Sequence, residues 1–168
     1  PAGFYYKTFM WPASFWKKYE YFIRKSAGLG KSPTEADPDV YEHKYIHCDV
    51  LIIGAGISGI MAAKTSAKNG FKTLLVDEKH YLGGSTIYQN SEHFKINNQV
   101  SSSWLEKEIN EIKKIENLEI KTRTSVAAFH GYNFLLAREN LTDHLPVDQR
   151  NNKTRQRLLK IRAKKVIT

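Results

Sequence analysis

The sequence predicts an α/β fold, a parallel sheet with helices packed on it, and three observations carry that expectation. Cys48-Asp49-Val50-Leu51-Ile52-Ile53 is a short apolar run of β-branched residues and leucine, the pattern of a buried strand. Gly54-Ala55-Gly56-Ile57-Ser58-Gly59 follows at once and leads into an alanine-rich stretch, Ile57 to Asn69, with Ile60, Ala63 and Ala67 on one helical face. Gly70 is placed to end that helix, and Lys72 to Asp77 is a second buried strand that ends in an acid. Strand, turn, helix and parallel strand in one sheet make a right-handed crossover.

The glycine string has the G-x-G-x-x-G spacing, and its context is the one the motif requires. Gly54 permits a tight turn. Gly56 has no Cβ, so the backbone can approach a pyrophosphate. Gly59 lets the helix lie against the strand. The helix N-terminus then offers free N–H groups and a partial positive charge to phosphates, and Ser58 lies beside them. Asp77 can accept hydrogen bonds from both ribose hydroxyls, and its charge disfavours a 2′-phosphate. That points to NAD or FAD over NADP, a choice that Lys79 close by weakens. Glu78, Lys79, Gly83-Gly84 and Ser85 follow the acid and are candidates for the adenosine end. The competing reading is a glycine turn that binds nothing. The predicted class is therefore a Rossmann-type FAD/NAD(P)-binding domain, incomplete at its C-terminus.

The remaining elements follow in order. Phe4, Tyr5, Tyr6, Phe9, Trp11, Phe15 and Trp16 make an aromatic opening, with a helix expected over Ala13–Lys25. A membrane-surface role competes with burial against another surface, and burial is preferred. Gly28-Leu29-Gly30, Lys31-Ser32-Pro33 and the polar Thr34–Asp39 read as a break and a loop. Residues 1–44 are thus an N-terminal segment with its linker, and 45–168 the first part of the dinucleotide-binding domain. A further helix is expected from Ser103 to Glu116, with a Ser103/Glu106 capping box and a Leu105, Ile109, Ile112 stripe. Glu119–Phe129 and Phe134–Glu139 read as strands, Asn151-Asn152-Lys153 as a turn, and the end of the chain as a basic strand.

The formal net charge is +9 over 168 residues. Lys153, Arg155, Arg157, Lys160, Arg162, Lys164 and Lys165 supply much of it, with no acid after Asp148. Leu159, Ile161 and Ala163 alternate with Lys160, Arg162 and Lys164, so a strand with one wet face, or a face toward an acidic partner, is preferred to nucleic-acid binding. No apolar run is long enough to span a bilayer. The one cysteine, Cys48, excludes an internal disulfide and fits a reducing, cytoplasmic setting. His43 and His47 stand near it, yet a core cysteine is the preferred reading over a metal site. His80, His93, His130 and His144 lack metal-ligand spacing, and Ser101-Ser102-Ser103 reads as helix capping. No catalytic acid, base or nucleophile stands out. The chain opens at Pro1 and stops inside a strand, so a piece of a longer subunit is expected.

Several stretches resemble the alpha subunit of heterotetrameric sarcosine oxidase. They are Pro1 through Pro12, Ala27-Gly28-Leu29-Gly30, Cys48 through Gly84, Arg123-Thr124-Ser125-Val126 and Arg157 through Ile167. The Gly83-Gly84 pair is similar to that of two-dinucleotide-binding-domain flavoproteins. The resemblance implies an assembly of alpha with beta, gamma and delta subunits that oxidises sarcosine to glycine and passes the one-carbon unit to tetrahydrofolate. FAD would sit in beta, FMN at the alpha–beta interface, and NAD in this domain. By motif position NAD would meet Ser58, Asp77, Glu78, Lys79 and Ser85, with Val126 near the adenine. Ser58 stands where many members have alanine. The upstream ferredoxin-like part, the Ala-Thr-Gly motif after the terminal strand and the folate-binding part are missing. The runner-up is the alpha-type subunit of a related opine oxidase, proline dehydrogenase or hydrogen cyanide synthase complex. A non-catalytic scaffold with a structural nucleotide is a further alternative.

Overall fold

The computed structural model describes residues 12–28, 30, 34–88, 94–150 and 153–168. The aromatics from Phe4 to Trp11, the Leu29 and Lys31–Pro33 break, His93 and the Asn151-Asn152 turn lie outside them. The chain divides between Asp37 and Pro38. In the first unit a single 3-10 turn, Ala13–Phe15, leads into helix α1, Trp16–Ser26. Arg24 and Lys25 in its last turn suit the negative end of the helix dipole. No residue of α1 is buried, and Tyr21 and Phe22 are exposed.

The second unit begins with β1, Val40–Ile53, which is longer than the Cys48–Ile53 run read from sequence. Residues 40–44, expected from the sequence in the N-terminal segment and linker, belong to this strand. They were missed because Val40–His47 carries polar residues on both faces, which hides a strand from an apolar-run search. Helix α2, Ile57–Lys68, buries Ile60, Ala63 and Ala67 as expected. Strand β2, Thr73–Val76, is wholly buried and parallel to β1. After a 3-10 turn at Gly84–Tyr88 come the short hairpin β3, Lys95–Ile96, and β4, Gln99–Val100.

Helix α3 runs from Ser101 to Ile112, not from Ser103 to Glu116. The hairpin delivers the chain into the helix two residues early: Val100 is the N-cap, and Ser101 is fully buried with its N–H donated to the Phe94 carbonyl. Ser103 and Glu106 therefore lie inside the first turns and form no capping box. The buried stripe includes Trp104 and Glu108 besides Leu105 and Ile112.

The Glu119–Phe129 run is two strands, β5, Leu118–Lys121, parallel to β2, and β6, Thr124–His130. They separate at Arg123, whose φ of 51° turns the chain. Tyr132 and Asn133, both at positive φ, then turn β6 into β7, Phe134–Asn140. A single short helix α4, Val147–Arg150, precedes β8, Thr154–Ile167. The main sheet has the order β5-β2-β1-β8-β7-β6. The basic terminal strand is central, parallel to β1 and antiparallel to β7.

Each face of the sheet has its own core. Helices α2 and α3 cover one, with Ile52, Ala63, Leu75, Trp104, Leu105 and Ile112. On the other, Leu51, Leu74 and Val76 meet Leu135, Leu159 and Ile161. Each buried leucine or isoleucine contributes about 1.5–3 kcal/mol, so the two layers hold β1 and β2 rigidly below the glycine turn. Lys64 pins α2 to α3 through Glu108 and Glu111 at 2.5 and 2.7 Å. The expected alternation in β8 is present: Leu159, Ile161 and Ala163 are buried, Arg162 and Lys164 exposed. Among the described residues no helix is long and apolar enough to cross a membrane.

Candidate functional site

The glycine turn is held from three sides. The Gly54 N–H, at φ 101°, donates to the Val76 carbonyl at 2.8 Å. Gly56 is the N-cap of α2 in an extended conformation, and a Cβ there would meet no atom within 4 Å. At Gly59 a Cβ would fall 1.9 Å from the Gly54 carbonyl oxygen, so the helix is seated directly on the strand end. The Gly83 N–H reaches the Ala55 carbonyl at 2.7 Å, and a Cβ on Gly84 would lie 3.1 Å from Gly56 Cα. The second glycine pair is thus packed against the first turn.

Asp77, at the end of β2, does more than face outward. Its Oδ2 accepts the Ala55 N–H at 2.6 Å and its Oδ1 the Lys79 N–H at 2.7 Å. Each carboxylate oxygen has two lone-pair sites, so both amides can stay bound while a hydroxyl is accepted. Sequence reading gave Asp77 to the ribose alone; its bracing of the loop was not visible, because the partners are backbone amides. The Thr124 N–H donates to the Asp77 carbonyl and the Arg123 N–H to the Lys79 carbonyl, each at 2.8 Å. These bonds bring the start of β6, and Val126 with it, to the strand ends.

A cleft of about 580 Å³ opens there. Gly54, Asp77, Glu78, Lys79, Gly84, Ser85 and Val126 line it. Gly56, Ser58 and Gly59 stand beside it at the start of α2, where first-turn amides lack intrahelical partners. Ser58 is exposed. Glu78 and Lys79 are exposed and 3.5 Å apart, so their charges largely offset each other. Tyr81, Tyr88, Thr124 and Ser125 also line the cleft and were missed. Tyr81 and Tyr88 are brought together, hydroxyl to hydroxyl and ring edge to face, by the turn at Gly83-Gly84. No local pattern marks them. Thr124 could have been found from Val126, since residues two apart share a strand face.

Behind the cleft, Lys121 bonds Glu139, which also meets Arg157, and Arg157 meets Glu42. The two side chains at its centre are about nine-tenths buried (Lys121 10%, Glu139 9% exposed), so this network braces the strands. Cys48 is buried and free, and burial pushes its thiol up to about 11. Among the described residues no group of three His, Cys, Asp or Glu could hold a metal. Bare glycine backbone, a helix N-terminus and a carboxylate at the facing strand end fit the pyrophosphate and ribose of an adenine dinucleotide.

The fold is that of an FAD/NAD(P)-binding, Rossmann-type oxidoreductase domain. The chain belongs to the FAD-dependent oxidoreductase family, whose model matches residues 49–157. In particular it is similar to the sarcosine oxidase alpha subunit of Rhizobium meliloti (strain 1021), 40% identical over 88% of this chain and 16% of that protein. It is 32% identical to the same subunit of Corynebacterium sp. (strain P-1), over 83% of this chain and 14% of that one. The chain thus spans about a sixth of the length of these relatives. Among solved structures, L-proline dehydrogenase from P. horikoshii shares the fold, with a TM-score of 0.52 and 24% identity over 81% of this chain and 24% of that one.

Proposed function

We propose that the cleft holds the adenosine and pyrophosphate of NAD, and that the chain is the NAD-binding part of a sarcosine oxidase alpha-type subunit in an assembly with beta, gamma and delta partners. The observation that carries the reading is the open backbone at Gly56, facing free space at the start of α2 beside the cleft. The identity to two proteins named as sarcosine oxidase alpha subunits supports the assembly.

In this reading Gly56 and the first amides of α2 bind the pyrophosphate, with Ser58 beside it. Asp77 accepts the ribose hydroxyls while its other lone pairs keep the loop in place. Glu78, Lys79, Gly84 and Ser85 line the ribose end, and Val126 packs near the adenine. NAD bound there would supply a nicotinamide ring able to accept a hydride. The assembled enzyme would convert sarcosine to glycine and pass the one-carbon unit to tetrahydrofolate, with FAD and FMN held outside this chain. A cytoplasmic setting belongs to the same proposal.

A second reading, favoured by the family match, puts FAD in this cleft. Mass spectrometry of the nucleotide released from the full-length protein separates the two. NAD released from the wild type and lost in Gly56→Ala supports the first reading. FAD lost in the same variant supports the second, and unchanged release removes the glycine turn from the site.

A further inference from the structure

On the side of the sheet opposite the Leu135, Leu159 and Ile161 core, part of the surface stays open. On the outer side of β1, β8 and β7, register and alternation bring Tyr45, Lys160, Arg162, Phe134, Leu136 and Arg138 together. Tyr45 is 67% exposed, Arg162 and Arg138 are exposed, and Phe134 and Leu136 are half-buried. The opposite side carries acids that meet its cations, Glu42 and Glu139 with Arg157. On the outer side the carboxylate along these three strands is Asp49, at the end of the face, and Lys164 takes it at 2.7 Å; Arg138, Lys160 and Arg162 meet no acid among the described residues.

Cations lie over two of the rings on this face. The Lys160 ammonium lies 4.9 Å from the Tyr45 ring centroid, and the Arg162 guanidinium 5.0 Å from that of Phe134. A single strand of nucleic acid binds such a sheet by stacking bases on open aromatic faces; here cations compete for Tyr45 and Phe134. What remains is a rigid surface with an apolar floor and three outward cations, Arg138, Lys160 and Arg162, that no acid among the described residues offsets. Such a surface is complementary to carboxylates spaced along a protein.

We propose that this outer face of β1, β8 and β7 is a docking surface for an acidic polypeptide surface, as another subunit of the assembly would present. The inference rests on the reading of the chain as one subunit of a complex. Its test involves no nucleotide, so either can fail alone.

The experiment uses the full-length protein and a 15-residue polyglutamate peptide, with oligothymidylate of equal charge as the second probe. The expected result is polyglutamate binding that falls as salt rises and weakens about tenfold in Arg138→Glu/Lys160→Glu, two reversed charges at a few-fold each. The equal charge change Lys113→Glu/Lys114→Glu, at the exposed end of α3, should leave it within about twofold. The neutral pair Arg138→Ala/Lys160→Ala should weaken binding by an intermediate factor, and protection of the Cys48 thiol reports that each variant is folded. Absence of polyglutamate binding overturns the proposal, as does equal loss in the two charge-reversed pairs. Oligothymidylate binding as tightly as polyglutamate, or more tightly, overturns it in favour of nucleic acid.

Discussion

Alanine at Gly59 and alanine at Gly56 should do opposite things, three residues apart in one motif. A Cβ at Gly59 would sit 1.9 Å from the Gly54 carbonyl oxygen and 3.0 Å from its carbon. Both atoms are backbone, so no side chain can rotate away, and α2 must lift from β1. Overpacking of this kind costs about 1–3 kcal/mol, and a rigid backbone neighbour places Gly59→Ala near the top, about 3 kcal/mol. For a domain of this size that lowers Tm by about 10 °C. Gly56 has φ −70° and ψ −176°, which alanine adopts without strain, and open space around its Cβ. The poorer N-cap costs about 0.5–1 kcal/mol, partly offset by the stiffer unfolded chain, so Gly56→Ala should unfold within a few degrees of wild type. Its methyl instead enters the space proposed for the pyrophosphate. Thermal unfolding followed by circular dichroism, with nucleotide titration on the same samples, reads both effects. Equal Tm losses in the two variants would refute the packing argument, and a Gly59→Ala protein as stable as wild type would refute the seating of α2 on β1.

Three further outcomes follow from named contacts. Asp77→Ala should cost about 1–2 kcal/mol by removing the acceptor of the Ala55 amide, and should also narrow the preference for NAD over NADP; Asp77→Asn, which keeps one acceptor, should lose about half as much stability, as calorimetry of unfolding and binding would measure. Arg155 holds the Asp143 carboxyl below its usual range, and Asp39, whose burial alone would raise it, is also held low by Arg155 and Arg150. That stabilisation is fully present above the ordinary carboxylate range and is lost as pH falls below about 4; Arg155→Gln should flatten the acid limb of a plot of unfolding midpoint against pH, and an unchanged limb would refute it. Cys48, with its thiol pushed up to about 11 by burial, should react with a thiol reagent near pH 8 only as fast as the protein unfolds; rapid labelling of the native protein would contradict that.

The front of the fold was legible because each part of it is local. Strand, glycine turn, helix and acid from Cys48 to Asp77 sit where the spacing puts them, since positive φ and a buried apolar run are written in residue type. The first half of β1 was not legible, because its partner is β8, more than a hundred residues away, and pairing of that range leaves no local signature. The start of α3 was misplaced for a related reason: a hairpin, rather than a side-chain cap, sets where the helix begins. Within the cleft, the glycines, Asp77 and Ser85 could be named from spacing. Tyr81 and Tyr88 could not, because only the backbone fold at Gly83-Gly84 aims them at one another.

The claim that the cleft between the glycine turn and β6 receives an adenine dinucleotide is tested most directly by photolabelling the full-length protein with an adenine-azido derivative of NAD and mapping the modified peptide. Label is expected on the segments carrying Tyr81–Tyr88 or Thr124–Val126, which line the cleft, and excess NAD should suppress it. Label elsewhere on the chain that NAD suppresses equally, or no suppressible label at all, would contradict the assignment.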